Sequence, residues 1–482
     1  MRPILQKINA IIVSAALLCC ILPSRAAAVY EISGNSQVQA DTGTVYTVKT
    51  LDYDYDNNTY FSLRDIAMAL KDTDKAFSLA VTRNAVALNQ GNAYTPVGGE
   101  NASWNSGANP KISLQRNEFK VNGQNTIYYT MIAKMPSGQY DCFMMAADLA
   151  MILDVDISVS EDGILQINTQ EPFSVSPAAL EQAGYFYGVN SVLAGDVTTG
   201  EIYYAYQSDT AYPIASISKL MTYLLTMDAI SAGLLTPEDQ VVVSDAAYAL
   251  SVSGDGVIAL KAGGSVTVQD LLYGALLPSS NECALCLAEA VAGSEEAFVR
   301  MMNRKAQELG LSQAVFFNSH GLPAYTEDPV PAKCQNRMSA EDMFRLISYI
   351  LRVYPQVTDI TSLKSASLKS LGIEVRSTNP LLHNMSGVTG LKTGTTNKAG
   401  ACLVTSLTAD DGNMEHDLAV IVLGAEDSAE RGRVSGMLAK YALQAFYTGA
   451  DKTGTGTVVP PQDMPMRAEM AVDCILRTAK KH

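Results

Sequence analysis

The sequence predicts an α+β chain of more than one domain: a larger unit in which one sheet is covered by helices, preceded by a smaller α+β unit whose halves repeat. Three observations lead there. A length of 482 residues with ordinary apolar content leaves room for two or three separate cores. Two early stretches, Tyr60–Leu70 (YFSLRDIAMAL) and Cys142–Leu153 (CFMMAADLAMIL), look like versions of one another. Late in the chain the β-patterned runs Leu391–Thr395, Ala401–Thr408 and Asp417–Leu423 follow a series of amphipathic helical stretches, so strands and helices are expected to share one core.

Taken in order, residues 1–28 read as a signal peptide. Arg2 and Lys7 precede an apolar run from Ile8 to Leu22, too short for a membrane span, and Ala26–Ala28 offers a small-residue cleavage site. Leu18 stands before Cys19 where a lipid-attachment site wants a small residue, so ordinary secretion is expected. Removing this segment leaves 31 Lys and Arg against 49 Asp and Glu, a net of −18, which repels nucleic acid and anionic membranes. Six cysteines remain, too few in a chain this long for a disulfide framework; they read as free, mostly buried thiols.

Residues 29–170 read as an accessory domain. Each copy of the repeat passes from a short strand into an amphipathic helix and then into a β-rich segment, Ala80–Leu88 or Ile157–Asn168. Between the copies lies a polar loop, Asn89–Asn109, holding the only tryptophan, Trp104. The unit resembles the copper amine oxidase N-terminal-like domains of exported bacterial proteins. It contains no histidine, so no copper, and no metal or other cofactor anywhere in the chain, is expected. Glu171–Pro177 reads as a connector, residues 175–448 as the second domain, and 449–482 as linker and tail. Arg467–His482 forms at most one short amphipathic helix able to touch a membrane surface; Glu469 and Asp473 interrupt it and favour a solvated or packed tail.

Chemistry-bearing residues cluster in three stretches of the second domain. Pro213–Thr222 (PIASISKLMT) places Ser216 and Lys219 three apart at the start of a long apolar run, one helical turn apart on one face. A lysine deprotonates a serine only if burial or a neighbouring cation lowers its pKa. Ser216 also opens the helix, where its backbone N–H can meet a developing oxyanion. Taken alone, the same pattern describes an N-capping serine and an exposed lysine.

Leu277–Asn281 (LPSSN) falls in the break between two helical stretches. There Ser279 can relay a proton to a leaving amine, and Asn281 can anchor substrate and lysine or merely cap the helix beginning at Glu282. Gly390–Thr396 (GLKTGTT) supplies a strand in which Lys392 can hold an anionic terminus or depress Lys219, and Gly394 lets a peptide backbone lie close. A second Lys-Thr-Gly, Lys452–Gly454, lies in the linker without a flanking apolar strand and reads as coincidence.

Ser-x-x-Lys, Ser-x-Asn and Lys-Thr-Gly in this order are shared by penicillin-binding proteins and β-lactamases. The flanking residues Ala215–Thr222, Ser279–Cys283, Met301–Asn303, His320–Leu322 and Gly390–Gly400 resemble the serine-type D-Ala-D-Ala carboxypeptidases, the low-molecular-mass penicillin-binding proteins, over about Tyr187–Tyr447. The resemblance implies a β-lactamase/transpeptidase-like domain built on an antiparallel sheet. It implies Ser216 as acylated nucleophile, Lys219 as base, Ser279 as proton relay and Asn281 as anchor. It further implies that Lys392, Thr393, Gly394 and Thr395 bind the substrate, with Arg431 helping to hold its terminal carboxylate. Backbone N–H groups of Ser216 and Thr395 would form the oxyanion hole. Ser218 stands where the family usually has Thr, and Glu282 where it usually has Asp. Cys283-x-x-Cys286 is a small-residue position in the family and reads as packing rather than redox chemistry, and His320 and His383 read as structural.

The expected activity is that of a secreted, cell-wall-associated carboxypeptidase acting on peptidoglycan stem peptides ending in D-Ala-D-Ala and inhibited by β-lactams. The first domain is expected to reach the wall or a partner. Two other readings compete. A β-lactamase needs a carboxylate placed for deacylation, and no Glu-x-x-Leu-Asn segment lies between Asn281 and Lys392. A non-hydrolytic wall-binding or β-lactam-sensing protein has no need for a complete proton-transfer set.

Overall fold

The structure is a computed structural model. It describes residues 31–449 and 452, apart from 54–57, 104–110, 114–117, 127, 129, 136, 161–163, 183–184 and 326–332. The signal peptide, Trp104 and the C-terminal tail lie outside the described residues. The chain divides into two compact units between Tyr187 and Gly188.

In the first unit the two related stretches run the same course. Strand Asn58–Ser62 enters helix Leu63–Ala69 and then the hairpin Phe77–Val81/Ala85–Gln90; strand Tyr140–Met145 enters helix Ala146–Leu153 and then the hairpin Asp156–Val159/Ile164–Asn168. The two strands pair antiparallel, Phe143 opposite Ser62. Each helix buries an aspartate in its first turn, Asp65 and Asp148. Only the first has a side-chain cap, Ser62, whose Oγ accepts from Asp65 N. The first hairpin joins a four-stranded sheet and the second an eight-stranded one. Ile66, Leu70, Phe77, Leu149, Leu153 and Val155 are among the apolar residues that fill the shared core.

The expected connector belongs to this unit. Phe173 N donates to Asp154 Oδ1 (3.3 Å), helix Pro177–Gln182 follows, and the Tyr185 hydroxyl donates to Asp148 Oδ1 (2.8 Å). Polar backbone that looks like linker is here anchored by hydrogen bonds, so the boundary falls some ten residues later than composition suggests.

The second unit is built on a five-stranded antiparallel sheet in the order Glu201–Tyr206, Ser191–Asp196, Glu415–Ala425, Gly400–Asp410, Val388–Thr396. Its middle strands are buried almost throughout, Ala401–Leu407 and Leu418–Ala425 without a break. Both faces are therefore covered, and the strands read as continuous apolar runs rather than alternating ones. The amphipathic stretches expected before these strands form, among the described helices, Val268–Leu276, Asn281–Ala292, Glu295–Glu308 and Ala340–Val353. Thr267, Ser280, Ser294 and Ser339 cap them, each accepting the N–H three residues on. The capping residue before the second is thus Ser280, which leaves the Asn281 side chain for other work.

One long helix, Ser428–Thr448, is not anticipated by the sequence reading. Residues 431–439 are buried without interruption, Gly432, Gly436 and Ser435 included. A helix buried on nearly all sides shows no polar stripe to reveal its period. It packs on strands Gly400–Asp410 and Glu415–Ala425 and carries Arg431 to the sheet. Among the described residues no helix is long and apolar enough to cross a membrane.

Candidate active site

Ser216 lies in a 3₁₀ turn, Ala215–Ser218, that runs into helix Lys219–Ser231. Ala215 takes a left-handed conformation (φ 47°), which is strained for a residue with a Cβ. Its surroundings hold it there. Ser218 Oγ donates to Ala215 O (2.7 Å), and two glycines close on the same peptide. A Cβ on Gly321 would stand 2.0 Å from Ala215 O, and one on Gly394 would stand 2.7 Å from Ile214 O and 3.0 Å from Ser216 N. The close approach that Gly394 permits is thus made by the chain's own backbone, where the sequence suggested a bound peptide. Ser216 itself stays partly exposed.

Lys219 is completely buried, and its ammonium has three oxygen neighbours: Ser216 Oγ at 2.8 Å, Asn281 Oδ1 at 2.8 Å and His320 O at 2.9 Å. None carries a charge. Burial lowers the Lys219 pKa to about 7, although Glu282 and Cys283 act to raise it. The geometry then dictates the hydrogen-bond pattern. As an ammonium, Lys219 donates to all three oxygens. As a neutral amine it has two N–H groups, which the acceptor-only Asn281 and His320 oxygens take, so its lone pair is left facing the Ser216 hydroxyl.

Two side chains hold this arrangement. Asn281 Nδ2 donates to Asp255 O (2.9 Å), and Thr222 Oγ1 donates to Ser319 O (2.6 Å), tying the lysine helix to the turn that offers the His320 carbonyl. The His320 ring plays no ligand role. It is buried, Leu322 N donates to its Nδ1 (3.2 Å), and burial followed by Lys219 drives its pKa down to about 3, so it is neutral. Ser279 sits two residues before Asn281 at a left-handed turn (φ 69°) and is half buried. Thr378 N donates to Leu277 O (3.1 Å) and Ser280 N to Gly274 O (2.9 Å), which pins the turn from both ends.

Strand Val388–Thr396 forms the free edge of the sheet and passes directly beside the Ser216 turn. Lys392 is buried, and its Nζ donates to Thr393 O (3.0 Å). Burial, then the charges of Lys219 and Arg431, push its pKa well below the usual lysine value. Thr393 Oγ1 shares a 2.5 Å hydrogen bond with Thr378 Oγ1, and Arg431 donates from a terminal guanidinium nitrogen to Thr395 Oγ1 (3.3 Å). Buried Arg431 Nε has no partner among the described residues. Among the described residues no carboxylate is bonded to Lys392 or Arg431, so these two basic groups make a site for an anion.

Lys219, Asn281 and Gly394 therefore lie at the Ser216 turn, and the strand that carries Lys392, Thr393 and Thr395 passes beside it. Four contributors were not singled out: the His320 carbonyl, the Asp255 carbonyl, Ala215 with its φ, and Thr378. In the sequence, Ala215 stands only as a residue flanking the motifs, and His320 as a flanking residue that reads as structural. Cys283 and Cys286 are buried free thiols, and a Cβ on Gly274 would stand 2.6 Å from Cys283 Sγ, so Cys283 fills a tight helix contact. Burial pushes the Cys286 thiol up to about 12 and Cys283 further, the reverse of a redox-active pair. Among the described residues no group of three or more His, Cys, Asp or Glu is placed to hold a metal.

The family model for D-alanyl-D-alanine carboxypeptidases, peptidase S11, matches residues 187–427. The Bacillus subtilis D-alanyl-D-alanine carboxypeptidase DacF is 33% identical over 253 residues, which cover 52% of this chain and 61% of that protein. The Escherichia coli D-alanyl-D-alanine carboxypeptidase DacD is 32% identical over 281 residues, 58% of this chain and 67% of that one. A solved structure of a peptidoglycan synthesis regulatory factor (PBP3) from Streptococcus pneumoniae is 31% identical, covering 53% of this chain and 73% of that chain with a TM-score of 0.48. The chain thus spans about three fifths of the Bacillus relative's length, and the match leaves the first unit out. On the family match, which takes in half of the chain and every motif residue from Ser216 to Thr395, the chain belongs to the D-alanyl-D-alanine carboxypeptidase family.

Proposed function

We propose that the chain is a serine D-Ala-D-Ala carboxypeptidase that removes the terminal D-Ala from peptidoglycan stem peptides. The observation that carries this reading is the 2.8 Å contact between Lys219 Nζ and Ser216 Oγ, made by an amine whose pKa lies at about 7. An ordinary lysine is neutral in fewer than about one molecule in a thousand at pH 7; this one is neutral in about half. Lys219 takes the Ser216 proton as Oγ attacks the penultimate carbonyl. The backbone N–H groups of Ser216 and Thr395 receive the oxyanion. Ser279 passes the proton to the departing amine, D-Ala leaves, and water hydrolyses the ester. Asn281 anchors Lys219 and the substrate, while Lys392, Thr393, Thr395 and Arg431 take the terminal carboxylate, on a strand that Gly394 lets pass close to the Ser216 turn.

β-Lactams act on this reading as inhibitors that acylate the same hydroxyl. The purified protein is expected to release D-Ala from a peptide ending in D-Ala-D-Ala, and Ser216→Ala to abolish release. Mass spectrometry after brief incubation with benzylpenicillin is expected to find one adduct, on the peptide holding Ser216. Release that survives Ser216→Ala overturns the assignment, and an adduct that decays within seconds makes the protein a β-lactamase.

The reaction belongs outside the cytoplasm, where residues 1–28 would direct the chain. The first unit, read as a copper amine oxidase N-terminal-like domain, is proposed to hold the enzyme at the wall or a wall partner, and the tail to stay solvated or packed. Full-length protein whose site has been blocked with benzylpenicillin is expected to bind isolated walls still. Loss of binding on blocking would assign wall contact to the catalytic unit instead.

A further inference from the structure

Glu282 follows Asn281 on the same helix and is completely buried, yet its carboxylate makes no hydrogen bond with a cation. Its Oε1 accepts from the backbone N–H groups of both Val257 and Ile258, at 3.0 Å for the first, while Oε2 has no partner among the described residues. Residues 252–255 and 257 are exposed; beyond them the buried Ile258 side chain and the Leu260 N hydrogen bond to Ser251 Oγ (3.3 Å) hold the loop's far end, so the stretch that offers Asp255 O depends most on the carboxylate. Two turn hydrogen bonds, Ser253 N to Leu250 O and Gly256 N to Ser253 O, shape it, and a Cβ on Gly256 would stand 2.2 Å from Ser251 O. The loop matters because Asp255 O accepts the Asn281 Nδ2 hydrogen bond.

We propose that Glu282 is a positioning residue for proton transfer: by clamping the Val257–Ile258 backbone it holds the Asp255 carbonyl against Asn281 Nδ2, and so keeps the Asn281 oxygen turned toward Lys219. The reason is one of donors and acceptors. Were the Asn281 carboxamide turned over, its oxygen would face the Asp255 oxygen, and its NH₂ would face Lys219. A neutral lysine can accept from that NH₂, but doing so spends the lone pair that Ser216 needs. With the Asp255 carbonyl held in place the turned state is penalised, and the amine's only unclaimed direction is toward Ser216. If the loop lifts, the two orientations approach equal energy and the base is lost part of the time.

A carboxylate here also has an electrostatic effect. The charged and titratable groups around Lys219 are Glu282 and Cys283 on the helix beginning at Asn281, His320 from the facing turn, and Lys392 on the edge strand; Glu282 is the one carboxylate acting on it. Position and charge can be separated by substitution. Glu282→Gln keeps an oxygen acceptor for Val257 and Ile258 and removes the charge, whereas Glu282→Ala removes both. Val257→Pro deletes one clamped N–H at an exposed position and leaves Glu282 intact.

The inference rests on the proposed acylation of Ser216, and the test reads that step: the rate of benzylpenicillin acylation of the full-length protein against concentration and pH, with circular dichroism and melting as folding controls. Glu282→Ala is expected to slow the first-order acylation step about 30-fold with the binding constant unchanged, since proton transfer and not capture is impaired. Val257→Pro is expected to slow the same step about 5–10-fold. Glu282→Gln is expected to stay within about threefold of wild type on the pH plateau, with its acid limb moved to lower pH because the charge favouring the lysine's protonated form is gone. Folded Glu282→Ala and Val257→Pro proteins that acylate like wild type overturn the clamp, as does a Glu282→Gln protein as slow as Glu282→Ala. A wild-type protein that never acylates overturns the carboxypeptidase reading first, and the clamp with it.

Discussion

Lys49 in the first unit and Lys219 in the second are both buried, and the two have opposite fates. In the first unit Lys49, 5% exposed, donates to both oxygens of Asp65 at 2.8 and 3.0 Å and to Gly99 O at 2.9 Å. Asp65 in turn accepts the backbone N–H groups of Lys49 (2.8 Å) and Asn101 (2.7 Å), so charge and hydrogen-bond capacity are matched. In the second unit Lys219 is also buried and equally well bonded in number, but its three oxygens are neutral, and Glu282, the carboxylate whose charge acts on it, spends its bonded oxygen on backbone. Burial is common to both sites; the charge of the bonded partner differs. A buried ammonium facing a carboxylate is a strut. Facing only carbonyls and a hydroxyl, it costs the fold free energy until it sheds a proton, and that readiness makes it a base.

The largest test removes the amine. Lys219→Met, close in shape, is expected to lower the benzylpenicillin acylation rate by at least about 10³-fold. It is also expected to make the catalytic unit more stable, because the sign of the linkage runs that way. The folded pKa of about 7 lies below the ordinary 10.5, so between these values the unfolded chain binds more protons and wild-type stability rises with pH. At pH 7 most of the penalty is in force, and relieving it is worth ~1–3 kcal/mol after the lost hydrogen bonds are counted. Urea unfolding at pH 7 and pH 9 should show Lys219→Met ahead at the lower pH and the gap narrowing at the higher. A variant less stable than wild type at both would break the contrast with Lys49.

A smaller change gives Lys219 what Lys49 has. Asn281→Asp puts a carboxylate within 2.8 Å of the ammonium. The lysine pKa should return toward its ordinary range, moving the acid limb of acylation upward from near pH 7. The rate at pH 7 is expected to fall about 10²-fold and to recover partly by pH 9. A lost rate with an unmoved acid limb would mean that Asn281 acts through shape rather than through its lack of charge.

This contrast also marks what was legible in the sequence. Ser216, Lys219, Asn281 and Lys392 announce themselves because a motif names side chains at set spacings, and the helices around them show their 3.6-residue period. Part of what decides Lys219's chemistry does not announce itself. One of its three oxygens is the carbonyl of His320, a group every residue has, placed by a turn 101 positions away. The same holds for Asp255 O, and for Gly394, whose neighbour proves to be the chain's own Ile214–Ser216 backbone. Helix Ser428–Thr448 escaped for a related reason, since Arg431 and Arg433 are buried in it and erase the polar face by which a surface helix is recognised. In the first unit the repeat was visible, but the pairing of Lys49 with Asp65 was not, because nothing local joins residues 16 apart on a strand and a helix.

The smallest effect, and the sharpest check on the comparison, is a double-mutant cycle on that pair. Lys49→Met alone leaves Asp65 charged and buried with only N–H donors and a neighbouring Asn101, and is expected to cost ~3–4 kcal/mol. Asp65→Asn alone leaves the ammonium with Gly99 O and one amide oxygen, and is expected to cost about as much. The double variant removes both charges while the asparagine still accepts from Lys49 N or Asn101 N, so it should cost only ~1–2 kcal/mol, giving a coupling of several kcal/mol between the sites. Thermal unfolding of the full chain, followed through the transition that carries the first unit, measures all four corners. Additive costs would show that Lys49 is held by packing of its stem rather than by charge, and the partner's charge would then no longer explain why one buried lysine is a strut and the other a base.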